Sequence, residues 1–91
     1  MNNQIDTGFG AMGKPVPFYR RQAAMDHARA MGVDKKMAME VAGKMAEALE
    51  RDKPYEAMQA GTQVLDLTGT YRLMAVLCTA PKPRYKVKAR S

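Results

Sequence analysis

The stretch Asp34–Arg51, DKKMAMEVAGKMAEALER, constrains this chain more than any other. Met37, Val41, Met45, Ala48 and Leu49 recur at three- and four-residue spacing, which predicts a helix with one apolar face. Lys36, Glu40, Lys44, Glu47 and Arg51 fall on its other faces. Asp34 stands at the N-cap position, where a carboxylate accepts from backbone N–H groups that the helix leaves unpaired. The chain has 91 residues, enough for one domain. A domain of this size buries only about 60–65% of its unfolded surface. The core is therefore thin, with little room for an enclosed active site.

The flanks read as further helices. Over Phe18–Met31, Ala24, Met25, Ala28 and Met31 form an inward face that Phe18 extends by one turn. Pro17 suits the first helical position, where a missing N–H costs nothing. Gly32 suits the left-handed position after the helix, and Val33 the apolar residue that follows it. Asp52-Lys53-Pro54 ends the central helix and opens a third, with Tyr55, Met58, Thr62 and Leu65 on one face and Thr68-Gly69 as its stop. Gly61 weakens this third helix by about 1 kcal/mol relative to Ala.

From Thr70 two readings compete. Thr70 caps a fourth helix over Tyr71–Thr79, ended by Pro81, or YRLMAVLC is a strand hairpinned through TAPKP to RYKVKA. The helix is preferred, because Val76 is the lone β-branched residue in Leu73–Leu77. The expected fold class is mostly α: a small three- to four-helix bundle with extended N- and C-terminal arms. The alternative is three helices plus a C-terminal β-hairpin. Residues 1–17 form a Gly/Pro-rich extended arm, 18–80 the helical core domain, and 81–91 a basic C-terminal arm.

Charge is unevenly placed. The net +6 divides into +2 over residues 1–33, −1 over 34–80 and +5 over 81–91. In PKPRYKVKARS, Lys82, Arg84, Lys86, Lys88 and Arg90 alternate with Pro83, Tyr85, Val87 and Ala89. An extended chain puts those cations along one side, able to track a phosphate backbone, with Tyr85 available for base stacking. The same strip suits edge-strand addition to another subunit, or a solvated tail. Nine methionines against two Phe and no Trp suit either a gap-filled core or an adaptable binding face. Phe9 and Met12 on the arm, and Met39 on the central helix, are the candidate partner contacts.

Within Ala24–Val41, Ala28 lies inside the first helix, Gly32 makes the turn, Val33 follows it, and Ala38 and Val41 lie inside the second helix. This arrangement resembles the helix-turn-helix of DNA-binding regulators. Ala lets the helices approach, and Gly accepts the left-handed turn. The resemblance covers about a fifth of the chain and implies DNA contact by Lys35 and Lys36. Ala38 is smaller than the branched residue usual there. Lys35, Lys36 and Met39 include no Asn, Gln or Arg for bidentate base readout.

Other motifs fail on context. Gly8-Phe9-Gly10-Ala11-Met12-Gly13-Lys14 fits both G-x-G-x-x-G and the start of a P-loop, but Pro15 stands where Ser or Thr should reach magnesium. His27 and Cys78 are single, so no zinc site can be assembled from them. Cys78 reads as a core residue. No nucleophile–base–orienter set can be assembled, and the chain is expected to be no enzyme, with no cofactor and no metal. No apolar run approaches the ~20 residues of a membrane span. The expected location is cytoplasmic or within a virion, not secreted.

Three functional readings follow. The first is a non-enzymatic structural or accessory subunit of a larger assembly, virion-like or nucleoprotein, that contacts other protein subunits, DNA or RNA through its arms. The second is a helix-turn-helix DNA-binding regulator. The third is a small adaptor or inhibitor that binds an acidic protein surface.

Overall fold

A computed structural model describes residues 13–83. Among them there are four helices and no strand: α1 (Phe18–Ala30), α2 (Lys35–Glu50), α3 (Pro54–Thr62) and α4 (Leu67–Thr79). Each helix packs on two neighbours in the cyclic order α1, α2, α3, α4, with α2 and α4 touching weakly across the diagonal. The start of α1 lies beside the ends of α2 and α4, joined by Arg21–Glu50 and by Arg20 to Ala80. The end of α3 lies beside the start of α4, where Gly61 meets Thr70. This is the up-and-down order that short connections favour.

The turns follow helix-capping chemistry. Asp34 caps α2, its carboxylate accepting from Met37 N at 2.9 Å. After α1, Gly32 takes φ +99°, its N–H donates to Arg29 O, and Val33 N donates to Ala28 O. That pair of bonds is a Schellman stop, as the Gly32-Val33 sequence implies. α2 ends the same way with Asp52 in the left-handed position, at φ +60°, and Lys53 N donating to Ala48 O at 2.8 Å. Pro17 is the N-cap of α1 rather than its first helical residue, which is Phe18.

Several expectations are corrected. The inward face of α2 is turned toward its alanines: Ala38, Val41, Ala42, Met45, Ala46, Ala48 and Leu49 are buried, whereas Met37 is 42% exposed. α3 buries Ala57 and Gly61, leaving Tyr55 and Thr62 exposed and Met58 and Leu65 half-buried. α3 also stops at Thr62, and Thr68-Gly69 lie in the first turn of α4 rather than closing α3. The cap of α4 is Asp66, accepting from Gly69 N at 2.8 Å. Thr70 is instead a buried core residue whose hydroxyl donates to Asp66 O. Because Tyr71–Thr79 is helical, the strand needed for the hairpin alternative does not form.

Seven of the fifteen buried apolar residues are alanine, and the largest fully buried side chains are Met45, Leu49, Leu73 and Leu77, with Thr70 next. Cys78 is buried, as its apolar run implies. Gly61 completes this small-residue interior. A β-carbon there would overlap Thr70 Cγ2 and sit 3.1 Å from Met45 Sδ. Thr70 cannot swing aside, because it is β-branched and held by its bond to Asp66 O.

Gly61→Ala is therefore expected to destabilise the fold by about 1–3 kcal/mol through overpacking, despite its better helix propensity. Adding Thr70→Ser, which removes Cγ2, should restore much of that loss. Chemical denaturation of the single and double variants gives the coupling, and strictly additive effects would show that the two residues do not meet.

Candidate functional site

A strap and a groove meet at the start of α1. The strap is Gly13–Pro17, the end of the segment that reads as an N-terminal arm. Gly13, at φ +74°, donates its N–H to Leu49 O at 2.9 Å, and Val16 is buried. Val16 N donates to Glu50 Oε2 at 2.7 Å, and Arg21 Nη2 donates to the same oxygen at 2.9 Å. Glu50 thus fixes the strap, Arg21 and the end of α2 together. α1 has no acidic residue in its own first turn, and Glu50 of α2 brings a carboxylate to its N-terminal end.

The groove lies between α1 and α2, about 480 Å³ in volume, lined by Phe18, Arg21, Gln22 and Met25 from α1 and by Lys35, Met39, Ala42 and Gly43 from α2. Phe18 is 75% exposed and Met39 55%, so two large apolar side chains stand at its rim. The floor is open because Ala42 and Gly43 are small; a β-carbon at Gly43 would meet nothing within 4 Å. Among the described residues, Arg21 and Lys35 are the charged lining residues and no carboxylate lines the groove.

The sequence-predicted residues distribute unevenly. Lys35 and Met39 come together in this groove, whereas Lys36 is exposed without lining it. Lys82 is exposed beyond the end of α4. Phe9, Met12, Arg84, Tyr85, Lys86, Lys88 and Arg90 lie outside the described residues. Phe18 does not extend the inward face of the first helix, as its spacing predicts, but stands at the rim. Arg21, Gln22 and Gly43 carry no mark of a site in the sequence taken alone, except that a glycine inside an otherwise strong helix is itself a signal at Gly43.

Three of the helix-turn-helix positions, Ala28, Ala38 and Val41, are buried, and Gly32 makes the left-handed turn. The outward face of α2 carries Lys36, Lys44, Glu40 and Glu47, all exposed, so two carboxylates share it with two lysines. Lys14 is exposed, with Pro15, Val16 and Pro17 between it and α1, so no helix N-terminus follows it directly. His27 is exposed and Nδ1 donates to Ala23 O at 3.1 Å. Among the described residues no helix is long and apolar enough to cross a membrane. Comparison with protein-family models, curated proteins and solved structures finds no match.

The bond from Val16 N, then the hydrogen bond and charge of Arg21 and the charge of Arg51, hold the Glu50 carboxyl below its ordinary range against partial desolvation. A carboxylate lowered in the folded state stabilises fully above its unfolded pKa, about 4.3. That contribution fades as pH falls through the lower folded value. Glu50→Gln should therefore lower the thermal midpoint near neutral pH and flatten its acid dependence below about pH 5. Melting curves across this range check it, and a parallel offset at every pH would mean that Glu50 is not the titrating group.

Proposed function

We propose that this chain is a non-enzymatic accessory subunit of a larger assembly, of the kind found in a virion or nucleoprotein particle. It would contact a protein neighbour through the α1–α2 groove and nucleic acid through the cations after Pro81. The observation that carries this reading is the groove itself, with Phe18 and Met39 exposed on a domain that fully buries few large side chains. Leaving such residues in water at the rim of one concave surface is unfavourable unless a partner covers them. The uneven charge supports the second contact: residues 81–91 hold five cations and no acid.

A helix-turn-helix DNA-binding regulator is the second reading, favoured by the buried Ala28, Ala38 and Val41 around the Gly32 turn. Glu40 and Glu47 on the outward face of α2 weigh against it, since they would approach phosphates.

The test is oligonucleotide binding against salt by the full chain and by a full-length variant with Lys82, Arg84, Lys86, Lys88 and Arg90 all changed to Gln. Five phosphate contacts give a slope of log K on log salt of about −3.5 to −4.5. That slope corresponds to a loss of roughly 100- to 500-fold in affinity from about 50 to about 200 mM salt. The variant should lose both the affinity and the slope. Sequence-selective binding that survives in this variant and disappears on Lys35→Glu with Lys36→Glu would replace the first reading with the second. The third reading, an adaptor on an acidic protein surface, is favoured if neither form binds nucleic acid.

A further inference from the structure

We infer that the α1–α2 groove is a receptor for one amphipathic helix of a partner protein whose flanks carry carboxylates. This rests on the accessory-subunit reading and names the partner's chemistry.

The shape comes first. Phe18 and Met39 stand on opposite walls, one from each helix, and Gly43 leaves the floor open between them. An apolar trough between two helices, with a glycine at its base, lets a third helix backbone come close while its apolar stripe fills the trough. Methionine suits such a wall because its unbranched thioether adapts to the incoming side chains.

Charge then selects the partner. Arg21 and Lys35 line the groove, and among the described residues no carboxylate does. Arg21 is joined to Glu50 through Nη2 and is held in place by that bond. Lys35 has no such partner among the described residues. The next residue back along α1, Arg20, donates to Ala80 O and Cys78 O, both at 2.9 Å, so it is engaged with the end of α4 rather than with the groove. Acidic flanks on the incoming helix match this distribution, and basic flanks oppose it.

The test uses the full chain and a labelled designed helix of about 18 residues, with leucines at helical spacing and glutamates beside them. Its counterparts are the same peptide with lysine for every glutamate and a scrambled acidic peptide. Fluorescence anisotropy should show the acidic amphipathic helix binding at least tenfold more tightly than either control. Gly43→Leu fills the floor of the groove, and because its side chain enters open space the thermal midpoint should hold or rise. This variant, and Met39→Ser separately, should each weaken binding by tenfold or more. Equal binding of the lysine peptide, or full binding by a folded Gly43→Leu chain, overturns the inference. A concentration-dependent dimer that Gly43→Leu abolishes also overturns it, assigning the groove to a second copy of the chain. So does displacement of the acidic peptide by an oligonucleotide from the chain lacking the five C-terminal cations, which would assign the groove to nucleic acid. If oligonucleotide binding persists through those cations while the peptide test fails, the helix-receptor inference is lost and the accessory-subunit reading stands.

Discussion

Everything in this structure depends on small residues lying where helices meet. Ala24 and Ala28 on α1, Ala38, Ala42 and Ala46 on α2, Ala57 and Gly61 on α3, and Gly69 on α4 are all buried. A short chain with little apolar volume cannot fill wide gaps between helices. Close approach of the backbones replaces bulk, keeping the interior dense where few large side chains are present. The same approach makes the fold intolerant of added methyl groups. At Gly61 the obstacle is Thr70. At Gly69 a β-carbon would lie within 3.3 Å of both the Met31 sulfur and the Leu65 β-carbon.

Two consequences follow. When alanines form the interior, larger apolar residues nearby are displaced to the edges, as Phe18 and Met39 are on either side of the α1–α2 groove. The exposed rim is thus a product of the packing rather than a separate addition. Long-range polar bonds then secure ends that apolar contact alone holds weakly. Arg20 donates to two carbonyls at the end of α4, where an unpaired C=O would otherwise need water. Glu50 does the equivalent for the strap and the start of α1. Both bridges converge on the first turn of α1, so the chain's described ends are tied at one end of the bundle.

Alanine also explains which parts of the fold are legible in the sequence. Asp34 and the Gly32-Val33 stop can be read directly, because capping is local and its side-chain chemistry has few alternatives. Spacing places the inward face of α2 too far toward Met37, since hydropathy weights Met above Ala while packing selects Ala38, Ala42 and Ala46. Gly61 and Gly69 read as a weak point and a stop, because close approach between helices leaves no trace in local spacing. Thr70 reads as a cap on the same grounds, which hides Asp66. Of the candidate site, Lys35 and Met39 are legible from the exposed side of the central helix. Phe18 and Arg21 require knowledge of how α1 is turned against α2, and Glu50 requires a contact across 34 residues of sequence.

Gly43 bears most directly on what the groove is for. It sits in the middle of α2, where glycine costs about 1 kcal/mol relative to alanine. Gly61 and Gly69 offset such a cost by allowing contacts that a β-carbon would obstruct. Gly43 has no such reason among the described residues, for a β-carbon there would meet nothing within 4 Å. Its backbone conformation gives none either, because it lies within regular helix without a positive φ. The space it leaves opens into the groove, between the two exposed apolar walls. A cost borne inside this helix, with no internal return, would be offset if another molecule's backbone occupied that space, as the proposed helix receptor requires.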